Sequence, residues 1–190
     1  SKLPVWPAVG NHEFAGGPHA EVVAVAAEDV EAVVDATGVE RFALLGVSQG
    51  AAVAIAYAVR HPERVERLVI YGGYAQGRNH RGERDLAEAL VAVIRAGWEH
   101  PNPAFRRMFT MRFLPEGTPE EMAWFDELQK QTASAENAAR LYAVWSDVDV
   151  TDLARRVQAE TLVAHTKGDA AVPFSQGRLL ATLIPNARLL

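Results

Sequence analysis

Between Glu21 and Thr37 the apolar residues fall at Val22, Val23, Ala26, Val30, Val33 and Val34, with Glu21, Glu28, Glu31 and Asp35 among the polar positions. This spacing predicts an amphipathic helix that Gly38 stops. Arg41–Val47 is a short apolar run, and it predicts a strand buried on both faces. Gly50–Arg60 reads as a helix of small residues ended by Pro62, and Val65–Tyr71 as a second buried strand closed by Gly72-Gly73. Strand, helix and strand with short links make a βαβ unit, which implies parallel pairing. Residues 82–158 change character. Helical stretches follow one another around Glu83–Trp98, Asn102–Phe113, Pro119–Gln131, Ala135–Trp145 and Thr151–Val157, with no strand pattern between them. Thr161–His165 resumes the strand pattern, Phe174–Leu183 is a last helix, and Ala187–Leu190 opens another strand. The pattern predicts an α/β fold of one domain, with a mainly parallel sheet, flanking helices and a helical cap insertion. Its core is 21–81 and 159–190, its cap 82–158. Residues 1–20 stand apart as a Pro- and Gly-rich segment in which only Leu3–Val9 could form a short strand, at a sheet edge.

Composition narrows the function classes. A chain of 190 residues with 49% hydrophobic and 23% charged residues is ordinary for a soluble globular domain. A net charge of −5 and the lack of any Lys/Arg block argue against a nucleic-acid surface. The longest apolar run, Ala51–Val59, is too short to span a bilayer, and the start carries no basic-then-apolar leader. A cytoplasmic protein without membrane association is expected. Cysteine is absent, which removes disulfides, thiolate chemistry and sulfur-ligated metals.

One motif carries chemistry. Gly46-Val47-Ser48-Gln49-Gly50 follows an apolar strand and opens a helix, the context that turns G-x-S-x-G from a weak pattern into a nucleophile turn. The turn is tight enough to strain the serine backbone, and it brings the residues two before and two after the serine together. Gly46 and Gly50 meet that demand, and Ala51 and Ala52 let the helix lie close to the sheet. Ser48 then stands at a helix N-terminus, where N–H groups favour developing negative charge, with the Gln49 N–H as one oxyanion donor. A serine nucleophile needs a base, and the base an orienting carboxylate. Asp169, just past the Thr161–His165 strand, faces the same sheet edge as Ser48; a plain turn aspartate after Gly168 is the other reading.

Three stretches resemble the α/β-hydrolase superfamily: Arg41 through Gly50, His61-Pro62-Glu63-Arg64-Val65 through Val69, and Leu162 through Gly168-Asp169 to Val172-Pro173-Phe174. More narrowly, Tyr71-Gly72-Gly73-Tyr74 and Asn102-Pro103-Ala104-Phe105-Arg106 resemble hydrolase domains of bacterial regulator- and cyclase-linked proteins. The resemblance covers about Glu21 to Leu190. It implies an eight-stranded sheet and a Ser–Asp–His triad, of which Ser48 and Asp169 match. The strands before the first helix, the loop giving a second oxyanion N–H, and the histidine after the last strand have no counterpart. The expectation is therefore a partial fold, either a fragment or a minimal hydrolase completed by association. A bare apolar edge at Phe42–Leu45 would favour a homodimer or higher oligomer, or a swapped segment, which light scattering at micromolar concentration would read.

No histidine follows Asp169. His61 reads as a helix-end residue, His165 as a core or rim residue, His80 as part of a Gly/Arg-rich loop and His100 as a helix-end residue, while His19 shows no pairing signal. His12, in Gly10-Asn11-His12-Glu13 after the possible Leu3–Val9 strand, is the candidate base. Asp147, Asp149 and Asp152 suggest a cation site or, more simply, capping of the helix at Thr151. Arg78 and Arg81 form a loop basic pair, and Gly72-Gly73 lacks phosphate-cradle spacing. Trp98, Trp124 and Trp145 are candidate pocket walls or core residues. The combined reading is a serine hydrolase that cleaves small carboxylic esters through an acyl-enzyme on Ser48, with no cofactor and no metal. The alternative is a catalytically silent hydrolase-like domain for ligand sensing or protein interaction.

Overall fold

The computed structural model describes residues 19–190. The candidate strand Leu3–Val9 and His12 lie outside the described residues. Four strands, β1 (Phe42–Val47), β2 (Val65–Tyr71), β3 (Glu160–Ala164) and β4 (Ala187–Leu189), form one sheet in the order β1-β2-β3-β4. Every pair is parallel, as the βαβ pattern requires. The register sets Val47 beside Tyr71 and Tyr71 beside Ala164, so the three strands end level with one another. The residues that follow them, Ser48, Gly72 and His165, form the rim of the sheet.

Helices α1 (His19–Thr37), α2 (Gly50–Arg60), α7 (Thr151–Ala154) and α8 (Phe174–Leu183) contribute to the main core. Ala51, Ala52, Ala54 and Ala58 bring α2 close to the sheet, while Ile55 and Tyr57 fill the space beside Leu68, Ile70 and Val163. Burying each such aliphatic side chain is worth roughly 1.5–3 kcal/mol, so α2 is a principal contributor to this core. The expectation that β1 is buried on both faces is corrected. Leu44 packs on the core, whereas Leu45 and Val47 are 59% and 50% exposed. Side chains alternate across a strand, and no described element covers the second face, which also bears Tyr71 and Leu162. Among the described residues β1 pairs only with β2, so the bare edge read from the sequence is present.

Helices α3 (Arg84–Gly97), α4 (Ala104–Phe113), α5 (Pro119–Thr132) and α6 (Ala135–Ser146) stand between β2 and β3 in the chain. They build their own cluster around Leu90, Ile94, Trp98, Phe109 and Ala139. A capping box closes the start of α5, with Thr118 and Glu121 satisfying each other's backbone N–H groups. Two backbone bonds tie the block to the rim: Gly77 donates to Val148 O at 2.7 Å and Val150 to Ala75 O at 2.9 Å. The described residues include no helix long and apolar enough to cross a membrane.

A buried guanidinium locks α4 to its neighbours. Arg106, 4% exposed, donates to Asp126 O, Trp98 O and His100 O at 3.2, 2.5 and 2.9 Å. Arg107 pairs with the Asp126 carboxylate at 2.6 Å, and Thr110 donates to the same group. Arg106→Met keeps much of the side-chain volume but leaves three carbonyls without their charged donor. Unmet buried acceptors cost about 1–3 kcal/mol each before relaxation, so a net loss of roughly 2–4 kcal/mol is expected. Thermal unfolding reads it, and a melting point within a degree of the parent would rule the lock out.

Candidate active site

The nucleophile turn forms where β1 runs into α2. Ser48 has φ 52, the sole positive-φ value outside glycine among the described residues. Such a conformation costs a side chain of order 1–3 kcal/mol and persists only when the surroundings impose it. They do. Ser48 N–H donates to Tyr71 O at 2.9 Å, and Ser48 O accepts from Ala51 N at 3.1 Å. A Cβ on Gly46 would lie 2.8 Å from Ala54 Cβ and 2.9 Å from Gly50 O, so this position requires glycine. Gly50 is different: a Cβ there meets nothing within 4 Å among the described residues. The steric demand expected of it falls instead on Gly73, whose added Cβ would lie 2.5 Å from Ala51 Cβ and 2.6 Å from Ile70 Cγ2. Gly73 sits on the rim beside the turn, a contact between positions far apart in the chain.

The Ser48 hydroxyl has no protein partner among the described residues and faces a cavity of about 290 Å³ between the rim and α3–α6. Gln49 lines it too, and its N–H has no intramolecular acceptor among the described residues. Trp98 and Trp145 form part of the wall with Ile94, Phe109 and Tyr142, but Trp124 is 64% exposed and lines neither cavity at Ser48. Trp98 is held by its indole N–H, which donates to Ala133 O at 2.9 Å. Burial pushes the Tyr74 hydroxyl well above the ordinary phenol range, so it stays protonated in this wall.

Asp169 stands across the rim. Its Oδ1 accepts from the N–H groups of Ala171 and Val172, both at 2.8 Å, which fixes the loop after β3. Its Oδ2 lies 3.5 Å from where a Cβ on Gly72 would be. A second cavity of about 320 Å³ is lined by both Ser48 and Asp169, together with Gly72, Arg112, Phe113 and Thr166. Ser48 and Asp169 thus share one space, and Gly72, at φ 57, keeps that space clear of a side chain.

The histidines sort plainly. His165 is buried; its Nε2 lies 3.0 Å from Val172 O and 3.6 Å from Asp169 Oδ2, and its ring packs edge-on against Phe174. It supports the Asp169 loop from behind and lines neither cavity. His61 lies at the end of α2 near Glu31, at 3.3 Å. His80 meets Asp147 O at 2.9 Å, and His100 accepts from Asn102 N–H at 3.0 Å. None of these four lines a cavity at Ser48. The acidic run makes local bonds ahead of α7, whose N-cap is Val150 rather than the expected Thr151 or Asp149: Asp149 accepts from Thr151 N–H at 2.9 Å and from its hydroxyl at 2.7 Å. Burial alone would raise the Asp149 pKa, but these bonds, with Gln76 and His80, bring it below the usual carboxylate range. Among the described residues no cluster of three His, Cys, Asp or Glu could hold a metal.

Sequence reasoning missed Arg112, and it left Arg78 and Arg81 without a role. All three line the 290 Å³ cavity. Arg78 and Arg81 share Glu83, while Arg112 donates to Ala171 O at 3.0 Å and Tyr142 Oη at 3.2 Å.

Comparison with known proteins places the fold in a family. A sequence model of the alpha/beta hydrolase fold matches residues 6–190, further toward the start than the resemblance read from Glu21 onward. The 2-hydroxymuconate semialdehyde hydrolase of Pseudomonas putida is 31% identical over 170 residues, 83% of this chain and 56% of that protein. The 2-hydroxy-6-oxo-6-phenylhexa-2,4-dienoate hydrolase of Comamonas testosteroni is 29% identical over 171 residues, 87% of this chain and 59% of that protein. An esterase from Exiguobacterium antarcticum superposes with a TM-score of 0.73 at 22% identity, over 88% of this chain and 64% of that one. The chain therefore spans less than two thirds of the length of each of these proteins.

Proposed function

The chain belongs to the α/β-hydrolase fold family, and from that premise we propose that it is a serine hydrolase that cleaves small carboxylic esters through an acyl-enzyme. The observation that carries this is Ser48 at φ 52, its hydroxyl unpartnered among the described residues and opening on a cavity beside Asp169. Ser48 Oγ attacks the ester carbonyl and gives its proton to a base. The Gln49 N–H at the start of α2 stabilises the oxyanion. The oxyanion collapses, the protonated alcohol leaves, and water drawn through the same base releases the acid. Asp169 Oδ2 orients that base, because Oδ1 is committed to its own loop.

The base belongs in the 320 Å³ space shared by Ser48 and Asp169. His12 is the residue proposed for it. His12→Ala is expected to lower turnover of p-nitrophenyl acetate by about 10²- to 10⁴-fold, the usual worth of a positioned base. Unchanged turnover in an otherwise active protein would remove His12 from the site.

A fluorophosphonate probe and p-nitrophenyl acetate test the whole reading beside Ser48→Ala. Labelling and turnover that disappear together support the hydrolase. A folded parent protein that is neither labelled nor active supports the other reading, a silent domain that senses ligands or binds partners. That reading draws on the placement of His61, His80, His100 and His165 away from Ser48.

A further inference from the structure

The charge in the 290 Å³ cavity is unbalanced. Arg78, Arg81 and Arg112 line it, and no acidic residue among the described ones does. Glu83 lies behind two of them, paired with Arg78 and, at 3.4 Å, with Arg81. Arg112 has no carboxylate partner among the described residues; its bonds go to a carbonyl and a phenol. Two of the guanidiniums are held back from solvent, the side chains of Arg78 and Arg81 being 13% and 11% exposed. Arg81 Nε is buried with no acceptor among the described residues. Burial pulls the Arg81 pKa below its ordinary value, despite Glu83 beside it. Much of the remaining wall is apolar and aromatic, from Ile94, Trp98, Phe109, Phe113 and Trp145. Buried cations are expensive unless an anion meets them, and this space supplies one anion's worth of pairing for three cations.

A structural role accounts for part of the set. Arg78 and Arg112 both donate to Ala171 O, at 3.5 and 3.0 Å, and so brace the loop that carries Asp169. A single carbonyl uses one donor of each guanidinium, which has five. A neutral donor would brace the loop without the cost of burying charge. Arg112 also lines both cavities, the one walled by α3–α6 and the space between Ser48 and Asp169, so its charge lies beside the reaction centre from two sides.

We infer that the cavity takes esters that carry a free carboxylate, received by Arg112 with Arg78 and Arg81, while the apolar wall holds the carbon chain. This rests on the hydrolase reading for its chemistry but not for its binding. Guanidinium and carboxylate pair through two parallel bonds, and that pairing favours the acid over its uncharged ester.

The test compares matched probes on the full chain. Mono-p-nitrophenyl glutarate is set against its methyl ester, and 4-acetoxyphenylacetic acid against its methyl ester, so that either half of the ester can carry the charge. In at least one pair the acid is expected to have a kcat/KM roughly ten- to a hundred-fold above that of the capped compound. Arg112→Gln should bring that ratio to within about threefold of unity, and Arg112→Lys should restore part of it. A variant that only loosens the Asp169 loop lowers both members of a pair together and leaves the ratio unchanged. Binding is read separately on Ser48→Ala, from tryptophan fluorescence with 4-phenylbutyrate against 4-phenylbutyramide. Tighter binding of the acid by about tenfold supports the site even if no ester is turned over, which would count against the hydrolase reading alone. Equal or weaker binding of the acid, or no preference in either ester pair, overturns the inference.

Discussion

Ser48→Ala is expected to lower kcat/KM for p-nitrophenyl acetate by roughly 10⁴- to 10⁶-fold, the range for removing a nucleophile that acts as one unit with its base. The fold should survive it. Ser48 N–H and O bond to Tyr71 O and Ala51 N through the backbone, which alanine keeps. Alanine also keeps the Cβ, and with it the strain at φ 52. Ser48→Gly separates function from strain. It removes the same hydroxyl and relieves the left-handed backbone, at the cost of a freer unfolded chain. Strain of about 1–3 kcal/mol against an entropic cost of about 0.5–1 kcal/mol leaves a net gain in stability for the glycine variant. The pair is read by fluorophosphonate labelling and thermal unfolding together. Both variants should be unlabelled, and the glycine variant should melt higher than the alanine one. Retained labelling in either would place the nucleophile elsewhere. A glycine variant that melts below the alanine variant would mean that the turn is not strained.

The parts of this site that are local in sequence were legible before the structure. The strand Val65–Tyr71 and the helix Phe174–Leu183 fall where the apolar pattern and its bounding residues place them. The turn around Ser48 was read from its strand-then-helix setting. What was misread depends on contacts between distant positions. Gly46 and Gly50 do meet across the turn, but the second position with no room for a Cβ is Gly73 rather than Gly50, because the start of α2 also abuts the rim of β2. Arg112 sits among charged positions of a helix, where an arginine ordinarily reads as solvated. It becomes a cavity residue only because α4 is laid across the Asp169 loop. Leu45 and Val47 read as buried because a run of apolar residues does not say which of its two faces is covered. A pairing rule such as that between Ser48 and Asp169 can be stated from chain order, but the shared space that gives it meaning is a property of the level ends of β1, β2 and β3.

Asp169→Asn is expected to cost about 10⁴-fold in kcat, with little change in melting temperature. The two oxygens of Asp169 have separate duties, and the substitution divides them. Oδ1 holds the loop through Ala171 N–H and Val172 N–H, and the asparagine amide oxygen can accept both bonds in its place. Oδ2, on the Gly72 side, is the acceptor left for a base in the space beside Ser48. In asparagine that position becomes an N–H donor. It would press the imidazole toward the tautomer whose lone pair faces the amide rather than the serine, and no carboxylate would remain to balance the imidazolium that forms during attack. Fluorophosphonate labelling should slow sharply without disappearing, because Ser48 stays in place. Asp169→Ala is the contrasting variant: it removes both duties, so turnover should fall with the melting point, by about 1–3 kcal/mol for the lost charged acceptor. A parent-like rate in the asparagine variant, within tenfold, would reduce Asp169 to a residue that shapes its own turn. A selective loss of rate would tie its second oxygen to the reaction, because the first accounts for the loop and has no part in moving a proton.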